Sequence, residues 1–236
     1  MLQACLNGRR TRDEHPAVPL TAAELAADAR RAVDAGAGEL HVHPRAADGR
    51  ETLEPEPVAA VVAAIRESCP GVPLGLTTGL WTAGGDAERR LRLVAAWEEQ
   101  PDYVSANVSE PGFAELCELV AQRGLGIEAG AWTPGDASSL ARSGVDCLRV
   151  LVEPADADGE DLVDGARRIE GALLDAGVIA PQLHHGAGRQ TWAVLAAARQ
   201  RGHDTRIGLE DTTVLADGAT ALDNAELVVA AAAAFP

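Results

Sequence analysis

Residues 21–43 read TAAELAADARRAVDAGAGELHVH. Apolar side chains at helical spacing predict an amphipathic helix over residues 21–35. Thr21 is the expected N-cap, and Glu24 three residues later completes a capping box. Gly36 and Gly38 end this helix. Residues 39–43 then alternate polar and apolar side chains, which is typical of a strand.

The same alternation of short apolar runs and longer helical patterns covers the whole chain. Strands are predicted over residues 2–6, 39–43, 72–77, 103–108, 125–129, 147–152, 182–184 and 206–209. Helices are predicted over residues 21–35, 57–69, 87–97, 112–123, 137–143, 159–176, 190–201 and 224–234. Strict alternation indicates an α/β fold with a parallel sheet and crossover helices.

Eight strand–helix units in 236 residues match the size of a (β/α)8 TIM barrel. No Pro/Gly/Ser linker or shift in composition divides the chain, so residues 1–236 are expected to form a single TIM-barrel domain. A doubly wound open sheet is the alternative. The absence of a GxGxxG segment after the first strand disfavours it.

Composition restricts the chemistry and the partners. The formal net charge of -16 disfavours binding to nucleic acid or to anionic membranes. All 20 basic residues are Arg, and a chain without Lys cannot form a Schiff-base lysine, anchor pyridoxal phosphate or carry a Walker lysine. Chemistry at a carbon–carbon bond would therefore need a metal ion as its electron sink.

The cysteines and the two ends of the chain indicate a cytoplasmic protein. Cys5, Cys69, Cys117 and Cys147 are widely spaced and form no CxxC pair, so reduced thiols are expected. The first residues lack the pattern of a signal peptide. The Ala-rich residues 230–234 are too few to span a bilayer and are expected to end a packed helix.

Polar side chains occur where nearly every predicted strand ends. They are Asn7, His41, His43, Thr77, Thr78, Ser105, Asn107, Glu128, Glu153, His184, Glu210 and Asp211. The active sites of TIM barrels lie at this carboxyl-terminal face. The distribution therefore predicts an active site at the mouth of the barrel.

His41 and His43 are the sharpest local feature. Side chains alternate along a strand, so both imidazoles are expected inside the barrel, while Leu40 and Val42 face the helices. The last strand borders the first, so Glu210 could approach the histidine pair. Two His and one Glu make a divalent metal site, with Zn²⁺ favoured. A hydrogen-bonded histidine pair without metal and a surface carboxylate at Glu210 remain alternatives.

Asp211, which is expected to point away from Glu210, is a candidate base. Arg206 is a candidate to orient that base or to bind a carboxylate. Arg149 is also predicted to face inward. For Arg149 we favour a simpler role, the neutralisation of Glu39 or Glu128 inside the barrel.

Residues 184–190 read HHGAGRQ and open the seventh helix. Glycines, a helix N-terminus and Arg189 form an arrangement that binds anions in many barrels, although a tight turn explains the pattern equally well. His184 or His185 could be further metal ligands. His15 and His203 lack such a setting and are expected to face solvent.

The chain resembles the beta-keto acid cleavage enzymes almost from end to end. The resemblance includes the Asn-Gly after the first strand and the segments HPAVPLT at 15–21, AGA at 35–37 and HVHPR at 41–45. It continues through LTTG at 76–79, SAN at 105–107, GAGRQ at 186–190, RIGLED at 206–211 and NAELV at 224–228. The chain is shorter than typical members, and residues 79–81 and 184–185 depart from the family pattern, which leaves the keto acid open.

This resemblance implies a Zn²⁺-dependent TIM barrel, typically a homotetramer. Such an enzyme converts a beta-keto acid and acetyl-CoA into acetoacetate and a new acyl-CoA by Claisen and retro-Claisen steps. His41, His43 and Glu210 would ligate the metal, and Asp211, held by Arg206, would remove the proton alpha to the keto group. Glu128 is expected among the catalytic residues. The implied substrate-binding residues are Thr77, Thr78, Asn107, Gly186, Gly188 and Arg189.

Three other functions compete with this hypothesis. A class II aldolase or hydroxymethylglutaryl-CoA lyase type would place its His-x-His near the seventh strand. An amidohydrolase would need His-x-His on the first strand and further histidines on the fifth and sixth. A barrel that binds a ligand without catalysis would tolerate the loss of Glu210 or Asp211, whereas an enzyme would not.

Overall fold

A computed structural model describes residues 1–154 and 161–234. In this part of the chain, eight parallel strands form a closed barrel in sequence order, and β8 pairs with β1. The strands are β1 (Leu2–Cys5), β2 (Glu39–Val42), β3 (Leu74–Thr77), β4 (Tyr103–Asn107), β5 (Gly126–Ala131), β6 (Arg149–Val152), β7 (Gln182–His184) and β8 (Asp204–Ile207). The closed order confirms the TIM barrel and excludes the doubly wound sheet.

A helix follows each strand within the described residues. The helices are α1 (Ala22–Asp34), α2 (Pro55–Ser68), α3 (Ala87–Ala95), α4 (Phe113–Gln122), α5 (Pro134–Ser143), α6 (Leu162–Asp175), α7 (Thr191–Gln200) and α8 (Asn224–Ala234). The capping box of Thr21 and Glu24 is present at the start of α1. The predicted start of the sixth helix at Gly159 lies outside the described residues.

Two boundaries differ from prediction in ways that matter for the site. β8 ends at Ile207, two residues before the predicted end at residue 209. The backbone then turns, because the amides of Asp211 and Thr212 both donate to the carbonyl of Gly208. β5 extends to Ala131, two residues beyond the predicted end at residue 129, and Ala131 pairs with Val152 of β6.

The hydrophobic core lies between the barrel and the helices. Leu40, Val42, Leu74 and Leu76 are fully buried in it, which confirms that the apolar positions of β2 face the helices. The described part of the chain has no helix both long and apolar enough to cross a membrane. All four cysteines are free, and Cys147 is only partly buried.

The barrel interior below the mouth is polar and internally paired. Arg149 donates to Glu128 at 2.8 Å and to Glu39 at 2.5 Å, which confirms its predicted neutralising role. Gln3 donates to Glu128 at 3.2 Å and to the Tyr103 hydroxyl at 2.7 Å. Buried charges are tolerated when they are paired and hydrogen-bonded. This cluster therefore fills the lower barrel.

Candidate metal and catalytic site

His41, His43 and Glu210 converge at the mouth of the barrel. The Nε2 atoms of His41 and His43 lie 3.1 Å apart. The Glu210 carboxylate lies 3.9 Å from Nε2 of His41 and 3.5 Å from Nε2 of His43. The possible ligand atoms of all three residues fall within 4.8 Å of one another.

The chemistry of these donors fits a divalent cation. Two imidazole nitrogens and a carboxylate are the donor set of a catalytic zinc site with open positions. Oε2 of Glu210 is buried and accepts no hydrogen bond from the described residues. An unpaired buried carboxylate oxygen is costly unless a cation satisfies it. The cluster is therefore suited to hold a metal ion.

The two imidazoles differ in their electrostatic surroundings. Burial lowers the pKa of His41 well below its usual value. Burial also opposes the charged form of His43, but the carboxylates of Glu210 and Glu51 outweigh this effect and raise the pKa of His43 to about 9. A bound cation would displace the proton from His43 Nε2, because only a neutral imidazole ligates metal.

The loop after β1 holds two parts of the cluster in place. Asn7 binds the backbone of His43 twice, accepting from its N–H and donating to its carbonyl, both at 2.9 Å. Gly8 has a φ of +51°, and a Cβ at this position would overlap the side chain of Glu210. This glycine leaves the space that the Glu210 carboxylate needs in order to reach the histidines.

Arg206 links Glu210 to Asp211. One guanidinium nitrogen lies 2.5 Å from Oε1 of Glu210 and 2.7 Å from Oδ1 of Asp211. The two carboxylates contact one guanidinium, contrary to the divergence expected from strand alternation, because the chain turns after Ile207. Oδ2 of Asp211 is buried without a partner among the described residues, so it can accept a proton.

His185 joins this group, a role that the sequence left open. Its Nδ1 lies 3.4 Å from Oδ1 of Asp211, and its Nε2 lies 3.2 Å from Glu153. Burial raises the pKa of Asp211, while Arg206 and His185 oppose that rise. Burial likewise opposes the charged form of His185, yet Glu153 and Asp211 raise its pKa. The sequence signal for this role was the alternation of side chains along a strand. Consecutive residues such as His184 and His185 face opposite sides, so one of the two faces the barrel.

Sequence reasoning missed Glu51. Its Oε1 lies 2.5 Å from Nδ1 of His43, and its Oε2 accepts from Trp81 Nε1 at 3.0 Å. The Asp48-Gly49 turn was the available signal, because such turns reverse the chain and return later residues to the preceding strand end.

The predicted substrate-binding residues differ in whether their polar groups are already used within the protein. Thr77 and Asn107 are buried at the strand ends, and Asn107 donates to Glu110 at 2.9 Å. The hydroxyl of Thr78 donates to the Ser105 carbonyl at 2.5 Å. Thr78 therefore joins neighbouring strand ends and has no hydroxyl proton left for a ligand.

Glu128 does not join the cluster at the mouth. It is fully buried and bound by Arg149 and Gln3 in the lower barrel. Its position within β5, three residues before the strand ends at Ala131, accounts for this depth.

The predicted substrate-binding residues of the loop after β7 also differ in whether they are free to contact a ligand. Gly186 packs against α7, the Gly188 amide donates to the Asp211 carbonyl, and Arg189 is exposed.

The expectation that His15 and His203 face solvent is wrong. His15 is buried, with Nε2 2.8 Å from the Ala221 carbonyl. His203 packs on His184 with ring centroids 4.5 Å apart and planes 11° apart, and it lies 3.1 Å from Glu170. Glu170, His184 and His203 are close enough to suggest a second metal site. However, the lone pairs of stacked parallel rings do not converge on one ion, so we interpret this group as packing.

A cavity of about 660 Å³ lies beside the candidate metal site. Its lining includes Glu51 and Trp81, next to His43, and Arg9, Arg50 and Arg89 toward solvent. Trp81 and Arg9 contact each other, with the guanidinium carbon 5.5 Å from the ring centroid. The lining also contains Asp48 and Glu54, which pair with Arg50 and Arg89, so side chains of both charges surround the opening.

Known proteins resemble this chain in sequence. One relative is the 3-keto-5-aminohexanoate cleavage enzyme of Fusobacterium nucleatum subsp. nucleatum, 27% identical over 92% of this chain and 84% of that protein. Another is the 3-oxoadipate:acetyl-CoA acetyltransferase of Cupriavidus necator, 39% identical over 30% of this chain and 24% of that protein.

A solved structure shows the same fold. The apo structure of ObcA superposes with a TM-score of 0.71 at 17% identity, over 91% of this chain and 61% of the ObcA chain. This chain therefore spans less than two thirds of ObcA. At that identity the likeness establishes the barrel alone.

The family model of the beta-keto acid cleavage enzymes matches residues 1–147 and 154–235. The match includes every residue of the cluster at the mouth except Glu153. It also covers nearly the entire chain, so it does not rest on a local motif. The chain belongs to the beta-keto acid cleavage enzyme family.

Proposed function

We propose that this protein is a metal-dependent enzyme that converts a beta-keto acid and acetyl-CoA into acetoacetate and a new acyl-CoA. Family membership supports cleavage of a beta-keto acid. The acetyl-CoA acetyltransferase among the relatives supports acetyl-CoA as the co-substrate. In the overall exchange, the acetyl group moves to the carbon alpha to the carboxylate, and the original acyl group leaves as its CoA thioester.

The observation that carries this proposal is the convergence of His41, His43 and Glu210 beside the unpaired oxygen of Asp211. In the proposal the three converging side chains hold one divalent ion, and the donor set favours Zn²⁺. When bound there, such an ion would act as a Lewis acid toward the keto oxygen. No lysine is required, in agreement with a sequence that has none.

Asp211 is the proposed base. Its unpaired Oδ2 takes the proton from the carbon between the keto and carboxylate groups, and burial strengthens it as a base by raising its pKa. Arg206 holds the other oxygen of Asp211, and the same guanidinium nitrogen contacts Glu210. It therefore keeps the base at a constant position relative to the proposed metal ligands.

Substrate binding is assigned to side chains that remain available at the mouth. Thr77 and Asn107 lie at the ends of adjacent strands, and Arg189 offers an exposed guanidinium on the loop after β7. The amide of Gly188 already donates to the Asp211 carbonyl, and the hydroxyl of Thr78 to Ser105, so we propose no direct contact from these two groups. Glu128 receives a structural role in the lower barrel.

Metal content and activity of the purified protein test this function. We expect about one Zn²⁺ per chain by elemental analysis, and formation of acetoacetate from a panel of beta-keto acids with acetyl-CoA. His41→Ala and His43→Ala should lose the ion and the activity. His203→Ala, a histidine outside the cluster, should retain both.

Either of two results would reject the proposal. One is a folded protein that neither contains nor takes up Zn²⁺, Mn²⁺ or Co²⁺. The other is full metal content in both histidine variants of the cluster. We also propose a homotetramer by resemblance to the family. The uninterrupted composition supports one domain over residues 1–236, and the widely spaced cysteines support a cytoplasmic location. Light scattering coupled to size-exclusion chromatography tests the assembly.

A further inference from the structure

A short hairpin after β2 returns the chain to the candidate metal site. Arg45 and Glu51 form an antiparallel bridge, and the amide of Ala46 donates to the Arg50 carbonyl at 2.8 Å. The reversal takes place at Gly49, whose φ of +82° suits glycine. The backbone thus places Glu51 opposite His43, although Glu51 lies eight positions further along the sequence.

The Glu51 carboxylate is shared between two ring N–H groups. Oε1 lies 2.5 Å from His43 Nδ1, and Oε2 accepts from Trp81 Nε1 at 3.0 Å. The Trp81 ring also stacks on His43 at a centroid distance of 6.5 Å. Only 10% of the Glu51 side chain is exposed. The remaining ion pair, with Arg9, is long at 3.9 Å and mostly exposed. Glu51 is therefore committed to His43 and Trp81 and contributes little to a surface salt bridge.

The hydrogen bond between Glu51 and His43 determines which ring nitrogen of His43 is available to bind a metal ion. A carboxylate accepts hydrogen bonds, so in the neutral ring Nδ1 of His43 carries the proton and the lone pair is on Nε2. Nε2 is the atom that faces His41 and Glu210. The partner histidine has no such support, because Nδ1 of His41 has no hydrogen-bond partner among the described residues.

We propose that Glu51 is a positioning residue that orients His43 and sets its tautomer, and so raises the affinity of the site for its metal ion. The inference rests on the proposed metal-dependent function. Outer carboxylates of this kind orient metal-binding histidines and increase their basicity in other proteins. Trp81 assists by holding the second carboxylate oxygen.

The test is a metal titration of the apo protein, read by competition with a chromophoric Zn²⁺ chelator. Glu51→Gln should weaken Zn²⁺ binding by about 10- to 100-fold. Glu54→Gln is the matched control, because Glu54 belongs to the same segment and pairs with Arg89 at 3.2 Å. The control should bind Zn²⁺ as the unchanged protein does. NMR of the ¹⁵N-labelled imidazoles in the metal-free proteins, at a pH high enough to keep His43 neutral, should show a protonated Nδ1 on His43 in the unchanged protein and a mixture of tautomers in Glu51→Gln.

The outcomes separate this inference from the proposed function. No binding of Zn²⁺, Mn²⁺ or Co²⁺ by the unchanged protein would overturn both. Normal binding by Glu51→Gln, or an equal loss in Glu54→Gln, would overturn the inference alone. If Glu51→Gln does not fold, Trp81→Phe decides, because it removes one hydrogen bond to Glu51 and keeps an aromatic ring beside His43. This variant should bind Zn²⁺ about two- to tenfold more weakly, and unchanged binding would refute the role of Glu51.

Discussion

Arg206 contacts both carboxylates at the mouth through one guanidinium nitrogen, while its Nε reaches Asp211 at 3.2 Å. A lysine ammonium is a single point charge on a flexible stem and cannot reproduce this fork. We expect Arg206→Lys to reduce turnover by about 100-fold, because small displacements of reacting groups have effects of this size. Steady-state kinetics beside Arg92→Lys, an exposed arginine, measure the effect. An active Arg206→Lys protein would mean that the side chain supplies charge alone.

Asp211 is the proposed base and lies outside the proposed set of metal ligands. Asp211→Asn keeps the shape of the side chain but cannot accept the proton. Turnover should therefore fall by about 10²- to 10⁴-fold while Zn²⁺ content stays at the unchanged level. Elemental analysis and kinetics on the same preparation check both parts, with Asp13→Asn as an exposed control. Full activity of Asp211→Asn would exclude Asp211 as the base.

At the scale of secondary-structure elements, the loop after β1 sets the position of Glu210 on the loop after β8. A Cβ at Gly8 would overlap the Glu210 side chain. Gly8→Ala should therefore move the carboxylate away from the histidines and weaken Zn²⁺ binding at least tenfold, roughly the loss of one charged contact. The same titration used for Glu51 measures this affinity.

Gly177→Ala is the control for the backbone effect at Gly8. Its φ is +73°, and a Cβ there would meet nothing within 4 Å. Both variants should lose about 1–2 kcal/mol of unfolding free energy from the left-handed backbone conformation. Only Gly8→Ala should also lose metal affinity. Equal metal affinity in the two variants would show that Gly8 is needed for its conformation alone.

At the scale of the whole molecule, the barrel depends on the contact between its first and last strands. Just beyond β8, a Cβ at Gly208 would overlap the backbone carbonyl of Cys5. Gly208→Ala should therefore reduce the free energy of unfolding by about 3 kcal/mol or more, or prevent folding, because backbone atoms of β1 cannot move aside. Urea denaturation followed by circular dichroism measures the change.

Gly171→Ala is expected to have the opposite effect on stability to Gly208→Ala. Gly171 lies within α6, and a Cβ there would meet nothing within 4 Å. Removing a helical glycine should stabilise the protein by about 0.5–1 kcal/mol. A Gly208→Ala protein as stable as the unchanged chain would mean that the closure between β8 and β1 adapts more easily than the backbone contact suggests.

The sequence by itself determined the barrel and part of its site, because both depend on local periodicity. Alternating strand and helix patterns encode crossover units, and eight of them close into a barrel. Side chains two residues apart on a strand share a face, so His41 and His43 could be paired without a structure. The inward direction of Arg206 followed from the same rule.

Only the tertiary structure decided which distant side chains meet. Glu51 reaches His43 through a hairpin, and His185 reaches Asp211 across two loops. Glu128 lies in the lower barrel and not at the mouth, because its depth depends on strand length and register. Side chains in loops follow no regular spacing, so the direction in which they point cannot be predicted from the sequence. The physical reason is that these contacts depend on chain reversal and barrel closure, which local sequence patterns do not encode.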